Sequence, residues 1–179
     1  MLPNVDGLAA LVEVGGDLDI SGNDALADVD GLSSLTTTSG FRLVSNDNLL
    51  NLNGLSSFAE SHGRVQIAYN RRLSNVDGLS GLTNVDGPSS NVHIWDNDAL
   101  IHLDGLGGIT TITGGLSIRE NSSLARISGI DSITFLGESL AVIDNPRLPT
   151  CQAEELAALL TSRGWTGSSV IAGNGPGSC

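Results

Sequence analysis

Three histidines are the side chains in this sequence best suited to metal binding or to proton transfer near neutral pH. His62, His93 and His102 stand in different sequence surroundings, and none shares an acid or a cysteine at a spacing typical of a metal site. No catalytic set emerges around them. The sequence therefore predicts a protein that is not an enzyme and that holds no metal and no cofactor.

A recurrent acid–glycine step is the second candidate for chemistry. The acid is an aspartate in four copies of the step, Asp6, Asp30, Asp77 and Asp104. In the other two copies Asn53 and Ser128 take its place. The pattern lacks the short glycine-aspartate period of calcium-binding β-rolls, and each acid stands alone. Because Asp, Asn and Ser all favour turns closed by a side chain, we expect turns here and no calcium site.

The only two cysteines, Cys151 and Cys179, lie near the C-terminal end of the sequence. An even number of cysteines, with none in the rest of the chain, favours a disulfide over a metal site. Disulfides persist in oxidising compartments, so we expect an extracellular or cell-surface protein.

Six asparagines mark an internal repeat. They are separated by 23, 24, 27, 24 and 24 residues and are Asn23, Asn46, Asn70, Asn97, Asn121 and Asn145. A pair of apolar residues two positions apart, such as Val65 and Ile67, precedes each asparagine and predicts a short strand. Further apolar residues and a Gly-Leu or Gly-Ile step complete a unit of about 24 residues.

A unit of this length cannot bury its apolar positions within one hairpin, but stacked copies can direct them to a shared core. We therefore expect an all-β fold, a parallel β-solenoid in which equivalent strands of successive coils pair. The asparagine amides can bond backbone groups of neighbouring coils, so each asparagine is expected to be buried. For that reason Asn121, although it begins a glycosylation sequon, is not expected to be modified. The repeated glycine is expected to provide a positive φ and a close approach between coils.

These repeats resemble those of receptor L domains, which are relatives of leucine-rich-repeat proteins. The similarity rests on the LxIxxN strand, the LxxLxGL segment and the return LxxLTxVGG, and it covers roughly residues 4 to 150. The resemblance implies a right-handed β-solenoid and a role like that of the ligand-binding lobes of insulin-type and epidermal-growth-factor-type receptors, or of similar repeats in microbial surface proteins. It implies no particular ligand, because the family's members bind different partners through residues outside the motif.

The C-terminal segment departs from the repeat and is expected to cover the end of the core. Apolar residues at helical spacing, followed by Gly164, predict one amphipathic helix over Thr150 to Arg163. We therefore predict one domain over residues 1–179, with about six coils in 1–149 and a disulfide-closed cap in 150–179.

Length and charge limit the class of protein further. The chain has 179 residues and a net charge of −12, and all its basic residues are arginines. Neither nucleic acid nor an anionic membrane surface attracts such a chain, and no apolar run approaches the ~18 residues that membrane insertion needs.

No signal peptide precedes the first coil, so we expect that a leader, with or without an N-terminal cap, has been removed. The alternative is that the open first coil pairs with a neighbouring domain or a second copy.

Strand residues that point away from the core are the best candidates for binding, because a parallel sheet presents them as a rigid array. Trp95 and Tyr69 place two of only six aromatic residues in adjacent coils. Aromatic and arginine side chains are enriched at interfaces. The alternative is that these aromatics only cover the sheet or pack on a neighbouring domain. The predicted binding residues are Arg42, Gln66, Tyr69, His93, Trp95 and Arg119.

One coil is longer than the others, between Leu82 and Val92, and its extra residues lie directly before the strand of Trp95. We expect this loop, residues 86–91, to bulge outward.

Two functions follow from the sequence. The first is a non-catalytic extracellular recognition or adhesion module that binds a protein or a glycan through the outward sheet face. The second is a rigid structural spacer of a cell-surface or matrix protein, with no dedicated ligand.

Overall fold

The computed structural model describes all residues from 1 to 179 and contains one parallel sheet of eleven strands. The apolar pairs that precede the asparagines lie in strands, as the sequence predicted. The strands are β1 (Glu13–Ser21), β2 (Thr37–Val44), β3 (Glu60–Ser61), β4 (Val65–Ala68), β5 (Asn84–Val85), β6 (Val92–Trp95), β7 (Thr111–Ile112), β8 (Leu116–Arg119), β9 (Phe135–Leu136), β10 (Leu140–Ile143) and β11 (Ser169–Ala172).

The sheet has two arms that meet at β2. The main arm runs β2-β4-β6-β8-β10-β11, with β1 also paired to β2, and the short arm runs β2-β3-β5-β7-β9. Every pairing is parallel, and the register joins equivalent positions of successive repeats, so that Ile67 pairs with Leu43 on one side and Ile94 on the other. The repeat period therefore sets the register, as expected when one face of each strand is buried.

A turn of 3-10 helix forms the remaining side of each repeat. The six turns are Asp6–Leu8, Asp30–Leu32, Asn53–Leu55, Asp77–Leu79, Asp104–Leu106 and Ser128–Ile130. A Cβ atom added to the central glycine would lie 2.0 Å from the carbonyl oxygen of Val5 at Gly31 and 1.7 Å from that of Leu52 at Gly78. These glycines do not adopt a positive φ, contrary to the expectation. Glycine is required here because the backbones of adjacent repeats approach too closely for a side chain.

The residue before each asparagine is the one that adopts a positive φ. It is a glycine only at the two ends of the series, and φ lies between 52° and 71° in Gly22, Ser45, Tyr69, Asp96, Glu120, Asp144 and Gly173. The left-handed region disfavours residues with a Cβ atom, so the neighbouring contacts must hold these corners. The sequence pattern did not predict a positive φ at this position.

The core is a continuous cluster of 39 buried residues that extends from Val5 to Leu160. Leucine, isoleucine and valine supply most of it, and Phe41 and Phe58 are its largest side chains. The first repeat is less covered than the others: Leu8 is 37% exposed, whereas Leu32 at the equivalent position is fully buried.

The asparagines form a ladder of hydrogen bonds between repeats. The side-chain amide of Asn70 donates to the carbonyl of Ala68 at 3.0 Å and, across one repeat, to that of Leu43 at 3.1 Å. Its side-chain oxygen accepts the backbone N–H of Asn46 at 3.0 Å. The asparagine side chain thus pairs the buried N–H of Asn46, whereas the carbonyl of Ala68 also accepts the N–H of Ser45 at 3.0 Å.

Five of the six predicted asparagines are fully buried, including Asn121, whose amide points inward as expected. Asn23 differs and is half-buried. Its side-chain oxygen accepts the backbone N–H of Leu2 at 2.9 Å, and Leu2 is itself 53% exposed, so the cover over this first position is thin.

The C-terminal segment contains the predicted helix, α1 (Thr150–Ser162), which ends one residue before the expected Arg163. The helix buries Ala153, Leu156 and Leu160. The predicted disulfide between Cys151 and Cys179 is present, with the two Cα atoms 6.1 Å apart. No helix of this chain combines the length and the apolar character needed to cross a membrane.

The same segment also continues the repeat, which the sequence analysis did not predict. Strand β11 pairs with β10, and Asn174 takes the next place in the ladder. The side-chain oxygen of Asn174 accepts the N–H of Asn145 at 3.2 Å, and its amide donates to the carbonyl of Val142 at 2.8 Å. The helix is therefore an excursion within a seventh repeat-like turn of the chain.

The ladder makes a stability prediction. Replacing Asn70 by Ala removes the partner of the buried Asn46 N–H and is expected to lower the free energy of unfolding by about 1–3 kcal/mol. Asn48→Ala is the matched control, because Asn48 also bonds across a repeat but is exposed to water, and its expected loss is about 0.5 kcal/mol or less. Urea unfolding measures both values, and equal losses in the two variants would contradict the ladder's role.

A second stability prediction concerns Thr38, which is fully buried and whose hydroxyl lacks a hydrogen-bond partner. Valine has the same shape and stands at the equivalent position Val14. We expect Thr38→Val to raise the free energy of unfolding by about 1 kcal/mol, because an unpaired buried hydroxyl is removed. Thr36→Val is the control, because the Thr36 hydroxyl donates to the carbonyl of Val12 at 2.9 Å. We therefore expect Thr36→Val not to raise the melting temperature in thermal denaturation. A lower melting temperature for Thr38→Val would refute the assignment.

Candidate functional site

The outward face of the main arm carries the predicted binding residues, and Trp95 lies at their centre. The rings of His93 and Trp95 are 5.2 Å apart, and the Tyr69 ring meets Trp95 edge-on at 6.5 Å. Register explains the cluster, because His93 and Trp95 lie on one strand and Trp95 pairs with Ala68, the residue before Tyr69. We call these three side chains the aromatic cluster.

Exposure differs among the predicted residues. Tyr69 is 48% exposed, whereas His93 and Trp95 are half-buried. Gln66 departs from the expectation of an exposed side chain, since only 6% of it is accessible. Its register partners Arg42 and His93 flank it, and larger neighbours on this face shield it. Ala68, beside Trp95, is completely covered for the same reason.

Two hollows lie on either side of the aromatic cluster, and both are lined by His93 and Trp95. The first, of about 440 Å³, is called hollow A, and its other lining residues are Tyr69, Asn91, Asp96, Gly115, Leu116, Ser117, Arg119, Glu120, Ser139 and Ala141. The second, of about 610 Å³, is called hollow B, and its other lining residues are Asp17, Asp19, Ser39, Gly40, Phe41, Arg42, Gly63, Arg64, Gln66, Pro88 and Ser89. The structure thus brings all six predicted residues to one continuous surface.

The longer loop forms one wall of this surface. Its residues are held at both ends: Asp86 Oδ1 lies 2.6 Å from His62 Nδ1, and the Asn91 side-chain oxygen accepts the N–H of Gly115 at 2.6 Å. Between them, the Ser90 hydroxyl lies 2.6 Å from that of Thr113. Pro88 and Ser89 reach the rim of hollow B. The expected outward bulge is therefore a tethered wall.

Charges of both signs line the hollows. Arg42 pairs with Asp19 at 3.0 Å in hollow B, and Arg119 donates from Nε to the Ser117 hydroxyl at 2.8 Å in hollow A. Neither Arg64 nor Arg119 makes an ion pair. The terminal nitrogens of Arg119 are therefore free to donate to a ligand.

Two titratable groups in hollow A, His93 and Glu120, have pKa values shifted from the ordinary values of their side chains. Burial lowers the pKa of His93, and the positive charges of Arg64 and Arg119 add to this effect, so the imidazole is neutral at pH 7. The negative charge of Asp96 raises the pKa of the Glu120 carboxyl, with a smaller contribution from Asp144. Like charges on successive repeats thus face one another along this corner.

Asp96 and Glu120 also belong to this surface, although the sequence did not predict them as binding residues. Both occupy the left-handed position directly before a ladder asparagine, as Tyr69 does. That shared place in the repeat was visible in the sequence and would have put them in one column. Ser139 and Arg64 belong to links between strands, and no pattern in the sequence assigned them to this face.

The three histidines lie apart from one another. His62 bonds Asp86 and lies 3.8 Å from Glu60, and His102 lies 3.5 Å from Asp104. No group of three or more His, Cys, Asp and Glu side chains is arranged to hold a metal ion.

Comparison with known proteins identifies no relative of this chain. No family model, no curated protein and no solved structure matches it. The resemblance to receptor L domains therefore remains an expectation that rests on the repeat motif.

The loop tether predicts a pH dependence of stability. The hydrogen bond with Asp86 raises the pKa of His62 above 6.5, against a smaller effect of burial. A raised pKa in the folded state stabilises the fold fully below about pH 6.5, and this contribution is lost as pH rises through the folded value. We expect His62→Gln to lower the free energy of unfolding by up to about 1 kcal/mol at acidic pH, as for exposed ion pairs, and by less at alkaline pH.

Urea unfolding at about pH 5.5 and pH 9 measures this difference, on either side of the unaltered histidine pKa. Asp86→Asn removes the same pair from the other side and is expected to reproduce the pattern. A loss that is equal at the two pH values would show that the pair does not depend on the imidazolium charge.

Proposed function

We propose that this protein is a non-catalytic extracellular recognition or adhesion module that binds its partner through the aromatic cluster and the two hollows. The observation that carries the proposal is the placement of Trp95, Tyr69 and His93 on an outward sheet face, in a chain with only six aromatic residues. Interfaces are enriched in such side chains, and a partly exposed tryptophan beside hollows gives a partner area to bury.

The proposal includes the fold type and the location. The repeat length and the stacking of equivalent strands favour a right-handed solenoid of the receptor L type, with a helix near its C-terminal end. The disulfide supports an oxidising environment and hence secretion or surface display. The net charge of −12 argues against nucleic acid as the partner.

Rigidity supports recognition by this face. The strands under the aromatic cluster are interior to the sheet, and the asparagine ladder runs directly behind its corner. Side chains held by such a frame lose little conformational freedom when a partner binds. A spacer would need the frame but not the exposed aromatic side chains.

The proposal predicts the effect of Trp95→Ala on binding. Protein and glycan arrays probed with the parent identify a partner, and the variant is expected to bind it more weakly by about 2 kcal/mol, or roughly 30-fold. Phe135→Ala is the matched control, because Phe135 is 53% exposed on the short arm, and its binding should equal that of the parent.

Circular dichroism establishes that the variants fold. If Trp95→Ala does not fold, Trp95→Phe, which keeps an aromatic ring, replaces it in the binding measurement. Silence of the parent on both arrays would favour the structural spacer. Partner binding that is unchanged by both Trp95 variants would remove this face from consideration.

A further inference from the structure

Hollow A lies over strands that are paired on both sides. Strand β8 lies between β6 and β10, and β6 lies between β4 and β8, so their backbone N–H and C=O groups already have partners. An extended peptide could not add to the sheet here by main-chain hydrogen bonds. A ligand of hollow A must therefore be recognised by side chains.

The wall of hollow A formed by Trp95 and Tyr69 presents aromatic surface in two orientations. The two rings are nearly perpendicular, with an interplanar angle of 84°. Aromatic faces carry partial negative charge and attract C–H groups with partial positive charge, as on one side of a sugar ring. Aliphatic side chains contribute little, because Leu116 is 1% exposed and Ala141 is 6% exposed.

The remaining wall is made of hydrogen-bonding groups on successive repeats. Arg119 supplies free donors, Asp96 and Glu120 supply acceptors, and the Ser139 hydroxyl can do both. Sugar hydroxyls also donate and accept, so neighbouring hydroxyls can bind a guanidinium and a carboxylate at once. A peptide side chain of one polarity would leave half of these groups without partners.

Charge selects among sugars. One arginine faces two carboxylates in hollow A, and the whole chain carries −12. A uronic acid or a sulfated sugar would meet net repulsion there, whereas an uncharged sugar would not.

We propose that hollow A binds an uncharged hexose oligosaccharide, with one sugar ring on Trp95 and its hydroxyls held by Arg119 and Glu120. This inference rests on the proposed recognition function and narrows it to one class of ligand. Tyr69 closes the side of the site next to the Trp95 ring.

The test uses Trp95 as its own reporter. The chain has two tryptophans, so Trp165→Phe leaves Trp95 as the only source of tryptophan fluorescence. Titration with tetrasaccharides of glucose, mannose and N-acetylglucosamine is expected to give a saturable change in emission with at least one of them. A tetrasaccharide of galacturonic acid is expected to bind weaker by about tenfold or more.

Variants separate this site from general surface effects. Arg119→Ala is expected to weaken the binding of the neutral sugar by about tenfold or more, because its guanidinium faces the ligand. Arg147→Ala is the charge-matched control, since Arg147 is exposed and lies outside hollow A, and its affinity should equal the parent's. If Trp165→Phe does not fold, saturation-transfer NMR on the parent and Arg119→Ala gives the same comparison.

Absence of binding by all three neutral tetrasaccharides would overturn the inference, and so would tighter binding of the uronic acid. A protein partner that loses affinity with Trp95→Ala, in the absence of any sugar binding, would overturn the saccharide but leave the recognition function standing. Silence toward both sugars and proteins would overturn both proposals.

Discussion

Hydrogen bonds from buried asparagine amides hold the corners on which the rest of the structure depends. At each corner the chain leaves a strand and turns, and from Val44 to Ile143 the carbonyl that ends the strand accepts two hydrogen bonds, one from a backbone N–H of the preceding repeat and one from the asparagine amide. The amide of Asn97, for example, donates to the carbonyl of Trp95 at 2.9 Å and to that of Ile67 at 3.0 Å. The asparagine oxygen also accepts the buried N–H of the preceding ladder asparagine, as Asn121 does for Asn97 at 3.2 Å, and an unpaired buried N–H would cost about as much as a lost hydrogen bond.

The candidate binding surface is a consequence of this corner. The residue before each asparagine is held in the left-handed region, and this constraint places Tyr69, Asp96 and Glu120 in one column at the end of the sheet face. Trp95 and Arg119 precede that column on their strands and face the same way. The same interaction that stabilises the stack thus positions the aromatic, acidic and basic side chains that line hollow A.

Two departures from the repeat complete the structure: the longer loop forms a wall of the candidate binding surface, and the helix with its disulfide lies near the C-terminal end. The three extra residues of one coil could have remained a mobile surface loop, but Asp86 and Asn91 bond neighbouring repeats and fix it beside the aromatic cluster. Near the C-terminal end, α1 interrupts the stack, after which β11 and Asn174 resume it. The disulfide joins the first turn of this helix to Cys179 and so links the helix to the chain that follows β11.

The sequence by itself determined the six strands before the asparagines, their parallel order, the inward-pointing asparagines, the helix and the disulfide, because each follows from a repeated pattern, from helical spacing or from the only two cysteines. It also placed Arg42, His93, Trp95 and Arg119 on the outward face, since alternation along a strand assigns every second residue. Only the tertiary structure decided that Gln66 is buried, that the corner glycines do not adopt a positive φ, and that Asn174 extends the ladder. These three features depend on contacts between residues about 24 or more positions apart, such as Gly31 with Val5 and Asn174 with Val142. The repeat period brings such residues near each other, but only the packing of the chain sets the distances between them.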